Sequence, residues 1–344
     1  MPFKKGRGSF FRRGLKCFCV CVSFLVFSGC SGAQRNIRLS YSIFFPPTHT
    51  QTLAAQEWAA HIEERTRGIV KIVLFPGETL TKSTRVYDGV VNGVSDLGMS
   101  AFAYTRGRFP LLEGLDLPLG YPDGETATKA ANAIFRIYNP KELEDVQVMY
   151  LHAHGPGVLA VKKKIESLAD LKGLKVRGTG LSAKIVESLG AVPVSMGQGD
   201  TYEALQRGVV EATLCPIETL KGWRQAEVID RVLSTAATGY TTAMYVIMNR
   251  DRWNSLPEDV QGVFREVNES SMERQARAWD AADEESKALL KEMGKPVETL
   301  SREEEEAFVR AVNPMLEEWA SALETRGMPG KAVLADLHRL VKGN

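Results

Sequence analysis

Apolar and polar positions alternate from residue 37 onward. Ile37, Leu39, Tyr41 and Ile43 take every second place in "IRLSYSIF", the period of a half-buried strand. The period then lengthens. In "THTQTLAAQEWAAHIEERTRG", Leu53, Ala54, Trp58 and Ile62 fall on one helical face, Thr50 is placed to cap, and Gly68 to stop the helix. "IVKIVLF" (69–75) returns to strand. Strand, helix and strand within about forty residues make a βαβ unit, hence a parallel sheet. The alternation predicts a helix near 82–92, strand "VSDLGM", and strands near 146–152, 157–162 and 174–177. A helix at 181–189, strand "AVPVS", a helix at 201–207 and strand "VVEATL" complete it. No internal repeat is visible.

From residue 251 the pattern is helical. Pro257 suits a first turn, and 257–293 runs without a breaker, longer than an ordinary globular helix. Such a helix is expected to cross more than one domain. Two more follow, 301–325 with a kink at Pro314, and 329–341. The pattern predicts two α/β lobes braced by C-terminal helices, with a ligand site in the cleft between them.

The N-terminus belongs to a different class. Lys4, Lys5, Arg7, Arg12, Arg13 and Lys16 form a basic region without an acid, followed by an apolar run from Cys17 to Phe27. That run is too short to span a bilayer and reads as a signal peptide over residues 1–29. "FSGC" fits the cut that leaves Cys30 as a lipid-bearing N-terminus; an ordinary cut near Ala33 is the other reading. Arg12-Arg13 also fits a twin-arginine signal, but a basic n-region explains the pair equally well. Export follows either way, so a periplasmic protein is expected, held to a membrane only through a lipid.

Losing that segment removes six of 43 basic residues and none of 42 acids, for a net charge of −5. An acidic exported chain is a poor nucleic-acid binder. Three of five cysteines lie in the signal and one is the lipid site, so Cys215 stands alone and no disulfide is expected.

Little enzymatic chemistry is written in the motifs. "GTGLSA" fits a loose dinucleotide fingerprint over Gly178, Gly180 and Ala183, with Asp200 downstream. Against it, Arg177 stands where that motif buries an apolar residue, and Asp200 follows the glycine-broken "SMGQGD" rather than closing a strand. His152 and His154 share one side of a strand, but without a nearby acid or cysteine they make a poor metal pair, and no metal or cofactor is expected. "SREEEEAF" suits a solvated helix N-terminus.

Arg177 is different. A guanidinium ending a strand and facing a cleft is a ready two-pronged partner for a carboxylate. Gly178 and Gly180 allow close backbone approach, and the helix opening at Leu181 adds N–H groups. A surface arginine beside a glycine turn is the plainer alternative.

Several stretches together resemble the extracytoplasmic solute-binding proteins of TRAP transporters, the DctP type, from about residue 37 to the end. "EWAAHIEERTRGIVKIVLFPGETL", "YDGVVNGVSDLGMS", "LADLKGLKVRGTG" and "YEALQRGVVEATLCPIE" occur in the family's order. The resemblance implies a periplasmic-binding-protein-like fold of two α/β lobes, with crossing strands and a long helix spanning both. It places lobe I at 37–154 plus about 242–282, and lobe II at 155–241 plus about 283–344. It puts the ligand-carboxylate arginine at Arg177, and implies an organic acid delivered to a small and a large membrane subunit. Where many members have Glu-Asn-Pro, this chain has Leu214-Cys215-Pro216, so a polar contact is lost or passes to Glu218.

Upstream, "HAHGPGVLAVKK" offers only His152 and His154 as contacts, and the aromatic candidates are Phe44, Phe45, Phe102, Tyr104, Trp223, Tyr240 and Tyr245. The expected ligand residues are Arg177, Phe45, Ser100, Tyr104, His154, Cys215, Glu218 and Tyr240. One cation among aromatic walls predicts a monocarboxylate with an apolar or aromatic body. The rival reading is an exported α/β enzyme acting on a carboxylate, with His152 or His154 as base.

Overall fold

The structure, a computed structural model, describes residues 36–295 and 297–343; Cys30 and the apolar run before it lie outside the described residues. β1 (Ile37–Ile43), α1 (Thr50–Arg65) and β2 (Val70–Phe75) form the predicted βαβ unit, with β1 and β2 parallel from Ile37 against Val70 to Ser42 against Phe75. The cap of α1 is His49 rather than Thr50: its ring Nδ1 accepts the Gln51 N–H at 3.2 Å. The buried face follows Trp58, whose Nε1–H donates to Asn268 Oδ1 at 2.9 Å, together with Ala55, Ala59 and Ile62. Leu53, five residues before Trp58, turns outward and is 47% exposed.

The first sheet has the order β2-β1-β3-β10-β4, built from β3 (Leu97–Ala101), β4 (Val146–Ala153) and β10 (Ala243–Asn249) beside the first two strands. α2 (Val86–Val91) and α3 (Gly124–Tyr138) pack around it; α3 is capped by Asp123, whose carboxylate accepts the Thr126 N–H at 2.7 Å. The second sheet has the order β11-β9-β5-β8-β6-β7. Its strands are β5 (Gly157–Val161), β6 (Lys175–Arg177), β7 (Val192–Val194), β8 (Ala212–Pro216), β9 (Arg231–Leu233) and β11 (Val297–Glu298). α4 (Leu181–Ser188), α5 (Gln198–Gln206) and α6 (Thr219–Gly222) belong to this second lobe.

Three connections join the lobes. β4 passes through Gly155-Pro156 into β5, and β9 returns through residues 234–242 into β10. The two crossing segments bond to each other: Gly157 N–H donates to Tyr240 O at 2.9 Å, and Thr241 Oγ1–H to His154 O at 2.6 Å. After α7 (Arg250–Asn254), the third connection is α8 (Glu258–Glu292), 35 residues and about 52 Å long. It packs on α1, α3 and β4 of one lobe and on α6 of the other, as its length predicts.

The C-terminal helices depart from expectation at Pro314. Pro314 does not kink one helix but starts another: α9 (Arg302–Val312) ends, and α10 (Pro314–Thr325) opens with Pro314 in its first turn, where its missing N–H costs nothing. α11 (Gly330–Lys342) packs against both α10 and α3. Its buried Val333, Leu334 and Leu337 join one continuous core with Ala131 and Ile134 on one side and Ile185, Phe308 and Trp319 on the other. The apolar stripe of α11 is therefore covered by residues of both lobes.

Candidate functional site

Arg177 is the last residue of β6, paired with Val194 of β7 and Thr213 of β8. The strand stops because the chain turns through Gly178-Thr179-Gly180 into α4, with Gly180 at φ +53°. A Cβ on Gly180 would stand 2.9 Å from the Cβ of Ala103 across the interlobe boundary, so the residue serves a close approach as well as a turn. Arg177 is 4% exposed. Its Nε–H and one Nη–H donate to the Met196 carbonyl at 3.2 and 3.1 Å, which fixes the plane of the guanidinium. Among the described residues no carboxylate lies within salt-bridge distance of it. A buried cation without an acidic partner lacks the counter-charge that would offset its desolvation.

The guanidinium borders a narrow cavity of about 30 Å³. Phe44, Phe45 and Tyr104 line it from the first lobe, Trp223 from the second, and Trp279 from the middle of α8. Phe44 and Phe45 lie 3.9 Å apart between centroids, Phe44 stacks on Trp223 at 6.2 Å, and Tyr104 meets Phe44 edge-on at 5.5 Å. Tyr240 closes another side, its hydroxyl donating to Leu214 O at 3.2 Å. A Cβ on Gly157 would fall 2.1 Å from the Tyr240 ring, so the absence of a side chain there lets the ring sit in place.

Polar groups punctuate these walls. Gln198, first residue of α5, has a buried amide nitrogen without a hydrogen-bond partner among the described residues. Its backbone N–H donates to the Tyr104 hydroxyl at 3.3 Å, joining the lobes. Burial pushes the Tyr104 phenol up from its ordinary range, and the nearby Arg177 charge opposes that shift. Glu218 is buried and accepts from the Thr219 hydroxyl at 3.0 Å. His154 is fully buried; desolvation pulls it down to about 4, so its ring is neutral at ordinary pH.

Six of the expected ligand residues, Phe45, Tyr104, His154, Arg177, Glu218 and Tyr240, meet at this cavity. Ser100 and Cys215 do not border it. Ser100 turns its hydroxyl to donate to Ser83 O at 2.8 Å, and its neighbour Ala101 reaches the cavity instead. Strand alternation sends Cys215 into a separate core with Val158, Leu205 and Leu220, where burial pushes its thiol up to about 12. Among the aromatics, Phe102 and Tyr245 pack into the core with Phe109 rather than along the cavity. His152 sits behind the wall, its Nδ1 accepting the Trp279 Nε1–H at 3.0 Å.

Sequence reasoning missed Gln198 and Trp279. The glycines of "SMGQGD" suggest a loop over the first turn of α5. Helical periodicity gives Trp279 a buried face without saying which turn of α8 reaches the cleft. Among the described residues, no three of the His, Cys, Asp and Glu side chains group to hold a metal, and no helix is long and apolar enough to cross a membrane.

Comparison with known proteins gives this geometry a family. The model for bacterial extracellular solute-binding protein, family 7 (DctP), matches residues 41–322. A TRAP periplasmic solute-binding protein from Desulfovibrio salexigens, solved as an open complex, is 33% identical, covering 89% of this chain and 96% of its own, with a TM-score of 0.78. A TRAP solute-binding protein from Rhodoferax ferrireducens, solved with copurified benzoate, is 26% identical over 89% and 98% of the two chains, with a TM-score of 0.84. The C4-dicarboxylate-binding periplasmic protein of Vibrio cholerae is 24% identical over 300 residues, 86% of this chain and 89% of its own. The two α/β lobes, the crossing strands and the long helix are this family's architecture, and the rival reading as an enzyme falls away. The chain belongs to family 7 of the bacterial extracellular solute-binding proteins, the extracytoplasmic receptors that serve TRAP transporters.

Proposed function

We propose that the chain captures a small monocarboxylate with an aromatic or apolar body, holding its carboxylate on Arg177 and passing it to the small and large membrane subunits of a TRAP importer. The observation that carries this reading is the buried guanidinium without an acidic partner among the described residues. Its other Nη atom and the Gln198 amide offer N–H donors to a carboxylate. Phe44, Phe45, Trp223 and Trp279 then surround the body of the ligand, as the benzoate found in the Rhodoferax neighbour would require.

A second carboxylate has no place here. Among the described residues Arg177 is the only Lys or Arg bordering the cavity, and Glu218 borders it too. Arg108 is engaged by Asp88 at 3.0 Å and Lys162 by the Leu205 carbonyl, while Arg106 lines a different surface hollow. A diacid would bury one unpaired anion near another carboxylate. Cys30 completes the reading as a lipid anchor that keeps the receptor at a membrane. Mass spectrometry of small molecules released by denaturing the purified protein, with a thermal-shift panel of acids, tests the ligand. A clear preference for succinate or malate would overturn the monocarboxylate reading.

A further inference from the structure

His154 has one ring nitrogen committed and one open. Its Nδ1 bonds to the Gly155 carbonyl, which can only accept, so Nδ1 carries the proton. On a neutral ring Nε2 is then a bare acceptor, and it is buried without a partner among the described residues. The polar groups of the two rings packed on it are already occupied. Trp279 Nε1–H donates to His152, and the Tyr240 hydroxyl to Leu214 O. Both of those rings hold the imidazole edge-on, at 5.5 Å for Tyr240 and 6.0 Å for Trp279, so it is poorly placed to turn. His154 nevertheless lines the same cavity as Arg177.

We infer that His154 is a specificity-determining residue that accepts a hydrogen bond from a hydroxyl of the ligand, so the cavity selects hydroxylated carboxylates over their unsubstituted parents. This rests on the reading of the cavity as a carboxylate site held by Arg177. A parent acid covers Nε2 with apolar surface and leaves a buried acceptor unpaired, whereas a hydroxyl satisfies it. Arg177 and Gln198 provide donors for the carboxylate and His154 an acceptor beyond it, so the two kinds of contact impose an orientation.

The test is isothermal titration of the purified full chain with matched pairs: mandelate against phenylacetate, and the three monohydroxybenzoates against benzoate. At least one hydroxylated acid should bind about tenfold or more tighter than its parent. In His154→Phe that ratio should collapse to within about threefold. The ¹⁵N resonance of His154 Nε2 in the unmutated protein gives a second readout, which survives a failure of the variant to fold. It should shift upfield, as for an accepting nitrogen, with the preferred hydroxy acid and much less with its parent. Acids that bind through Arg177, losing affinity in Arg177→Ala, but show no hydroxyl preference would overturn the role of His154 alone. If none of these acids binds, or Arg177→Ala binds them as the parent protein does, the carboxylate reading fails and this inference with it.

Discussion

His49 Nε2 lies 2.9 Å from Glu218 Oε2, and both side chains are almost fully buried. His49 caps α1 in the first lobe, and Glu218 follows β8 in the second. Because Nδ1 of His49 accepts the Gln51 N–H, Nε2 is the nitrogen that carries a proton and donates it to Glu218. A bond made only when the lobes meet acts as a latch on the closed form. Stacking of Phe45 on the His49 ring at 4.3 Å ties that latch to the cavity wall.

His49→Ala should loosen this latch without removing a residue of the cavity itself. The closed form would keep Glu218 buried without its donor, a cost of about 1–3 kcal/mol, while in an open form water reaches the carboxylate. Ligand affinity should fall by about 5- to 150-fold, mainly through faster release. Solution scattering should show a larger radius of gyration than the parent at the same partial saturation, since binding draws the lobes together by population shift. Unchanged release rates would mean that the pair contributes nothing to closure.

Asp283 makes stability depend on pH in an unusual direction. Burial and the nearby Glu218 charge push its carboxyl up to about 8, while Oδ1 accepts the Glu218 backbone N–H at 3.1 Å. The folded chain therefore holds a proton that the unfolded chain, with an ordinary aspartate near 3.9, releases. Stability from this group falls as pH rises between those two values and levels off above the higher one. The buried His152 and His154 work the other way, and that opposition fades only above about pH 7.5, where the unfolded imidazoles are mostly neutral too. Asp283→Asn should flatten the decline in melting temperature between about pH 6.5 and 8. Parallel curves for parent and variant over that window would show that Asp283 titrates normally.

What could be read from the chain follows from how strongly each segment signals its period. β1 alternates cleanly, α1 keeps a helical period, and α8 runs 35 residues with only Gly262 near its start as an interruption, so these were legible. β10 was not, because "AMYVIMN" is covered on both faces and shows no alternation. α3 was missed because the buried positions of "GETATKAANAIFRIY" are mostly small, Ala127, Ala130 and Ala131 among them. Arg177 stood out since a charge ending a buried strand breaks a local rule, and such breaks mark sites. Ser100 and Cys215 lie one residue from Ala101 and Pro216, which do border the cavity, and a shift of one position in a strand moves a side chain to the other face.

Cys30 carries the anchoring prediction alone. Cys30→Ala should leave binding and melting temperature unchanged and move the protein from the membrane to the soluble periplasmic fraction, as one lost lipid attachment requires. Retention of the variant on membranes at the parent level would show that "FSGC" is not a lipidation site.

Arg177 is the sharpest test of the cavity. With a carboxylate bound, Arg177→Ala leaves a buried anion without its cation, and truncating one member of such a pair costs about 2–5 kcal/mol. Affinity should therefore fall by roughly 30-fold to several thousand-fold. Arg177→Lys keeps the charge but loses the planar fork and the two donors now fixed on Met196 O, so it should recover only part of the loss. The unliganded alanine variant should melt close to the parent, because no carboxylate among the described residues is left unpaired by the change. Two results would sink this account: binding within threefold of the parent, or an alanine variant that fails to fold. The second would make Arg177 a structural brace for the 195–198 turn, with Gly178 and Gly180 no more than the bend that follows it.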